Sequence, residues 1–268
     1  MALFSNVLSV VRQYLSAAVG DLIMGTAGSG TSTTLVSTML RQADDYYNDH
    51  KYRCYIYEGT NIGEEREVSD WVLSTHTLTL DPAFSSAIDN TSKYELHHIF
   101  TEAELRKAIN LAIESLAGKY LVDLRDETTV LVADTYEYAL PTSFLYLYRI
   151  ITEKTADGGV FNASDEIDPR NWDIIRSYPP KLKLHESYYS VSAGKDLRIE
   201  GYGSQPIISA DTDTIYLPPD WLIQKAITFL PQTKIQSGKL DEVYRRALLT
   251  SAREPRSQVD PRTRRVIE

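Results

Sequence analysis

The chain has 268 residues, 43% of them hydrophobic and 24% charged, which is the composition of a folded protein long enough to bury a core without covalent staples. A single cysteine, Cys54, excludes an intrachain disulfide framework. Lys and Arg number 28 against 37 Asp and Glu, and the formal net charge of -9 argues against a surface built to wrap nucleic acid.

The opening segment, MALFSNVLSVVRQYLSAAVGDLIM, lacks the basic start of a signal peptide, and Arg12 and Gln13 interrupt its apolar run well short of a membrane span. Phe4, Leu8, Val11, Leu15, Ala18 and Leu22 follow alternating steps of four and three, the spacing of one helical seam. Such a seam either packs on its own domain or docks a partner. The stretch GTAGSGTSTT that follows is predicted to be a flexible linker. Its Gly25, Gly30 and Ser32 imitate a phosphate-binding loop, but Thr31 stands where the essential lysine belongs. Residues 1–32 are therefore expected to form an N-terminal amphipathic arm and linker.

A helix is predicted over 33–48, with Leu35, Met39 and Leu40 on one side. The apolar period then changes to two, and strands are expected at 52–57, 65–73, 77–80 and 93–97, joined as an antiparallel meander. Cys54 lies in the first of these and reads as a buried small residue. Together, residues 33–100 form a predicted helix-plus-meander domain.

Thr101 and Glu104 make a capping box at the head of a helix whose apolar face is Leu105, Ala108, Ile109, Ala112, Ile113 and Leu116. Short β runs follow at 129–132, 136–139, 145–152, 181–185, 188–191, 197–200 and 214–217, with Gly194 turning a hairpin between the fifth and sixth. Pro218-Pro219-Asp220 starts another helix, Pro231 stops or kinks it, and a last helix is predicted over 240–253. Residues 101–252 thus read as a helical domain with a β insertion. The fold class predicted is α+β: a helical bundle with an antiparallel β insertion, plus an N-terminal antiparallel β-meander domain.

Residues 253–268 are basic, carrying Arg253, Arg256, Arg262, Arg264 and Arg265, and Pro255 and Pro261 prevent one continuous helix. They are expected to be a solvated tail or an arm that orders on an acidic or phosphate-bearing partner. The sequence contains no GxSxG elbow, HExxH, paired CxxC or Rossmann glycine fingerprint, and no catalytic residue, cofactor or metal ligand is nominated. His50, His76, His97, His98 and His185 read as surface or turn histidines, and the acids at 165–168 and at Asp211 and Asp213 as solvated loop charges.

The order of segments resembles tailed-bacteriophage head-to-tail connector proteins (adaptor, neck or head-completion proteins), and its second half is similar to the podovirus tail tubular gatekeeper. The likeness is carried by TEAELRKAINLAIESL, YEYALPTSFLYLYRI, the Trp172-Asp173-Ile174 strand, LRIEGYG and YLPPDWLIQKAITFL. Earlier in the chain it is carried by TLVSTMLRQADDYYND, EREVSDWVLSTHTLTLDPAF and SKYELH. The resemblance implies a non-enzymatic virion protein at the head–tail interface, present in the host cytoplasm during assembly. It further implies a homo-oligomeric ring, dodecameric in the family, that meets the portal and a tail or further neck protein and lets genomic DNA pass without sequence-specific binding. No membrane partner is expected. An acidic wall would repel phosphates over a Debye length of about 8 Å.

The residues nominated for contact with the portal or a neighbouring subunit are Phe4, Leu8, Val11, Leu15 and Leu22 of the seam and the five tail arginines. Two other functions stay open: a carbohydrate- or receptor-binding module, suggested by 18 tyrosines, and a glycan hydrolase using two loop carboxylates. On the tail-arm expectation, replacing Arg262, Arg264 and Arg265 with Ser weakens capsid attachment in a salt-sensitive way and leaves the melting curve of the isolated chain unchanged.

Overall fold

The computed structural model describes residues 6–257 and 263–266, and its helices and antiparallel sheets make an α+β fold. The chain divides into two units, Met1–Ser115 with Ile207–Glu254, and Leu116–Pro206 with Pro255–Glu268. The boundaries expected after residues 32 and 100 are not where the chain divides: arm, meander and capped helix fall in the first unit, and the β insertion is most of the second.

Unit 1 begins with β1 (Asn6–Val7), which runs straight into α1 (Leu8–Ala18). No side chain caps α1; instead the amides of Leu8 and Ser9 donate to the carbonyls of Asp213 and Asp211 at 3.0 and 3.2 Å, answering donors that a helix leaves open. The segment expected to be a linker is sheet: β2 (Ile23–Thr26), β3 (Ser29–Gly30) and β4 (Thr34–Val36). Its glycines serve close approach. A Cβ at Gly25 would lie 2.6 Å from the Tyr94 hydroxyl, and one at Gly30 would lie 2.2 Å from the Thr34 carbonyl oxygen. The helix expected over 33–48 is replaced by β4, turns and the single-turn α2 (Tyr46–Asp49), because Thr33, Thr34, Val36 and Thr38 favour extended backbone and Met39 is exposed.

The four strands of the expected meander are present as β5 (Arg53–Glu58), β6 (Glu65–Val72), β7 (Thr77–Asp81) and β8 (Lys93–His97). They do not pair in simple succession. The sheet order is β2-β8-β5-β6-β7-β4-β3, so β8 crosses back to lie between β2 and β5. Its core includes Leu35, Cys54, Ile56, Trp71, Leu78, Tyr94 and Leu96. The chain then enters α3 (Glu102–Glu114), where the capping box is present in both directions and Leu105, Ala108, Ile109, Ala112 and Ile113 are buried.

Unit 2 is built of β9 (Leu121–Val130), β10 (Glu137–Ala139), β11 (Phe144–Thr152), β12 (Trp172–Ile175), β13 (Lys181–Leu184) and β14 (Asp196–Ser204). β14 pairs with β9 and β11, and β13 lies between β10 and β12; the two antiparallel sheets enclose one core of Leu140, Phe144, Leu147, Ile150, Trp172, Leu182, Leu184, Leu197 and Ile199. The run at 188–191 forms no strand, so Gly194 turns the chain into β14 without making the expected hairpin.

Back in unit 1, β15 (Thr214–Ile215) pairs with β1, followed by α4 (Pro219–Ile227), α5 (Gln232–Ser237) and α6 (Asp241–Ser251). Pro219 occupies the first turn of α4, where a missing amide hydrogen costs nothing. α1 packs on α3 and α4, and α4 on α3 and α6.

The basic tail is not a free arm over its described part. β16 (Arg264–Arg265) adds to β11, and Val266 is buried in the unit 2 core. Arg264 stacks 4.3 Å over the Trp172 ring, donates to Asp173 Oδ1 at 2.7 Å, and bonds the carbonyls of Trp172 and Pro169. The expected indifference of the melting curve to Arg264→Ser is therefore replaced. Val266→Ala should lower stability by about 1–3 kcal/mol and Arg264→Ser should lower it measurably, whereas Arg265→Ser, at an exposed site, should leave the urea midpoint unchanged.

Candidate functional site

Within unit 1 one guanidinium gathers carboxylates from separate elements. Arg12 follows Leu8 by four positions and precedes Leu15 by three, so it shares the inward face of α1 and is wholly buried. Its Nε and Nη2 donate to the two oxygens of Glu95 on β8 at 2.9 and 3.0 Å, a bidentate fork. Nη1 and Nη2 reach Asp211 at 2.5 and 3.3 Å, and Glu102 lies 3.5 Å from Nη1. The guanidinium lies 4.4 Å over the ring of Tyr55 on β5, whose hydroxyl donates to Asp211 Oδ2 at 2.8 Å.

His97 extends the cluster, because residues two apart on a strand share a face. Its Nε2 is 3.1 Å from Glu95 Oε2 and its Nδ1 is 2.8 Å from the Asp21 carbonyl oxygen. Both ring nitrogens face acceptors, so the ring carries both hydrogens and is cationic. Burial is the largest single influence and would depress its pKa, but the hydrogen bond and charge of Glu95, with the carbonyl and charge of Asp21, together outweigh it and the pKa is raised. Burial likewise pushes Glu95 up, yet the bonds from His97 and Arg12 hold its carboxyl down at about 2. Two cations and the carboxylates of Glu95 and Asp211 thus neutralise each other inside the unit.

Asp21 completes the arrangement. Its buried carboxylate accepts the amides of His98, Ile99 and Phe100 at 2.8, 3.0 and 2.8 Å, fixing the turn that delivers the chain to the cap of α3. Arg12, Glu95 and His97 have no solvent exposure, so a substrate cannot reach them in the folded state. The cluster clamps elements together and offers no reacting surface.

None of these roles was expected. Arg12 had the signal of an arginine at core spacing within an apolar seam. His97 is not the surface or turn histidine expected: β8 is covered on both faces, with Tyr94, Glu95, Leu96 and His97 all buried. Asp211 and Asp213 are not solvated loop charges: Asp211 pairs with Arg12, and Asp213 accepts the amides of Ser209 and Ala210.

The nominated contact residues separate. Leu8, Val11 and Leu15 are wholly buried in unit 1 and Leu22 is half-buried, so the seam is an internal packing face, while Phe4 lies outside the described residues. Arg253 is exposed and belongs to unit 1; Arg256 and Arg265 are exposed and Arg264 half-buried in unit 2, and Arg262 lies outside the described residues. The tail arginines are therefore not one arm.

The outward faces carry what the seam does not. On α6, Leu248 and Leu249 are 46% and 80% exposed, flanked by exposed Arg245 and Arg246. An open groove of about 780 Å³ in the same unit is lined by Tyr14 and Ala18 of α1, Trp221 and Ile223 of α4, and Thr250 of α6. Among the described residues no group of three or more His, Cys, Asp or Glu is placed to hold a metal ion, and no helix is long and apolar enough to cross a membrane.

Arg12→Met should destabilise the protein by about 3–5 kcal/mol in urea titrations, because it leaves Glu95 and Asp211 buried without their cation. The pH profile has two limbs. The depressed Glu95 contributes stability that is complete above about pH 4.5 and is lost as pH falls toward 2. The raised His97 contributes stability that is complete below its ordinary value of 6.5 and is lost as pH rises through its folded value, so a His97→Gln variant should lack the alkaline decline. No protein-family model and no curated protein sequence matches the chain.

Proposed function

We propose that this chain is a non-enzymatic structural subunit of a tailed-bacteriophage neck, joining the portal of the head to the tail as a homo-oligomeric, dodecameric ring through which the genome passes. In this proposal α1, α3, α4 and α6 are the helical bundle of a connector, unit 2 is its β insertion, and the sheet β2–β8 is the added N-terminal part. The protein resides at the head–tail interface of the virion and in the host cytoplasm before assembly.

The observation that carries the proposal is the outward face of α6. Leu248 and Leu249 are exposed apolar neighbours on α6, the helix that also supplies Thr250 to a groove lined by Trp221, and uncovered apolar side chains of this kind fit a contact surface. The occupant assigned to this face is a second copy of the chain. Exposed Arg245 and Arg246 precede the leucines in the sequence of α6 and exposed Arg253 follows them, and in this reading an acidic patch of the next copy, in a protein of net charge -9, faces them. A patch that meets a different patch on the next copy gives a heterologous contact, the kind that closes into rings. The segments that resemble connectors add support: TEAELRKAINLAIESL contains α3, LRIEGYG lies in β14, and YLPPDWLIQKAITFL contains α4.

Negative-stain imaging of the purified chain with a portal ring tests the proposal directly; a stacked ring of matching symmetry is expected, and particles lacking the protein that still join tails and keep their genomes would overturn it. A Leu248→Asp, Leu249→Asp double variant should lose ring formation while its thermal midpoint stays within about 1 °C of the parent, since neither side chain is in the core.

A further inference from the structure

Charge in unit 1 is segregated along the chain. Residues 23–97, the span of the sheet β2–β8, hold 11 Asp and Glu against 5 Lys and Arg, whereas the second half of α6, from Arg245 to Ser251, holds two arginines and no acid. Arg245 precedes Leu248 and Leu249 by three and four positions, so the three share one helical face, and all are exposed. Among the described residues neither Arg245 nor Arg246 is in an ion pair. The segment after β4 has the converse charge. Met39 is 66% exposed there, and Asp44, Asp45 and Asp49 are exposed carboxylates without an ion pair among the described residues. Arg41 and Lys51 are the cations of this stretch, and Asp70 of β6, next to Trp71, adds a fourth acid. The segment is fastened to the turn between β6 and β7. His76 Nδ1 lies 3.1 Å from the Leu40 carbonyl oxygen, and the amide of Leu73 donates to Asp44 Oδ1 at 2.6 Å.

The two surfaces lie on opposite sides of the sheet. Tyr55 and Glu95 point to the side where Arg12 of α1 meets them, whereas Cys54, Ile56 and Leu96 point to the other, where Leu40 and Tyr47 complete the core. α4 packs on α1 and α3, and α6 packs on α4 and α5, so α6 is an outer layer on the helical side. One copy therefore cannot bring its own α6 to its own segment 39–49. We propose that α6 of one copy docks on segment 39–49 of the next, with Leu248 and Leu249 against Met39 and with Arg245 and Arg246 facing Asp44 and Asp45. Opposite charge and exposed apolar side chains on both sides select a second copy as the occupant. The assignment rests on the reading of α6 as a contact between copies, and adds the surface that receives it. Because the two patches differ and face opposite ways, the contact runs head to tail, and a two-fold dimer cannot satisfy it.

The test uses the full chain, alone and bound to portal rings. Cys54 is buried, so Leu249→Cys supplies the accessible thiol for a photoreactive benzophenone. In a mixture of isotope-labelled and unlabelled chains, peptides joined between copies should map to residues 39–49. Separately, Arg245→Gln with Arg246→Gln, and Asp44→Asn with Asp45→Asn, which keep the acceptor oxygens, should each weaken self-association about tenfold in sedimentation, more at low salt. The combined variant should weaken it by less than the product of the two, as groups in contact do. Cross-links to another segment of the second copy would overturn this receiving surface and leave the α6 contact standing. No cross-link between copies would overturn the neck reading and this assignment together, and fold-changes that multiply in the combined variant would overturn the pairing of the two patches.

Discussion

The first unit depends on the charge of Arg12. A buried guanidinium without partners costs several kcal/mol, so α1 can occupy its place only while Glu95 and Asp211 face it. Those carboxylates come from an inner strand and from the loop that also receives the first amides of α1, so one side chain ties helix, sheet and return segment into a single arrangement. Hydrophobic contacts of α1 would tolerate sliding by a turn; the bidentate fork to Glu95 does not. The cluster thereby fixes the register of α1.

Much of the secondary structure was legible. Alternation located β5, β6, β7 and β8 within a residue or two, Thr101 and Glu104 located the start of α3, and Pro219 that of α4. These signals are local, because each depends on spacing or on a bond spanning a few residues. The failures had long-range causes. Gly25 and Gly30 look like a linker unless Tyr94 and Thr34 are known to approach them. Strand alternation puts Glu95 and His97 outside unless both faces of β8 are known to be covered, the one bearing Glu95 meeting Arg12 of α1. The tail reads as solvated unless β11 is known to have a place for β16 and the core a place for Val266.

The candidate contact surfaces were less legible than the folds that display them. Apolar spacing finds the seam of α1, which is the buried side; on α6, Val243, Tyr244 and Ala247 share one side by the same spacing, and of these only Ala247 is buried. Periodicity finds faces that belong to a core. It does not find Leu248 or Leu249, whose significance lies in being apolar and uncovered, a property that only the folded surface defines.

The interleaving of the two units has a consequence for biosynthesis. Arg12 and Asp211 are separated by 199 positions, and the whole of β9 through β14 is threaded between them. A ribosome releases Arg12 and Glu95 long before Asp211, so the nascent chain must hold an incomplete ion cluster while the insertion is being made. The insertion in turn waits for Val266 to seal it. Each unit is completed only by segments that follow the insertion, so a chain stalled after β14 would lack Asp211 in unit 1 and Val266 in unit 2.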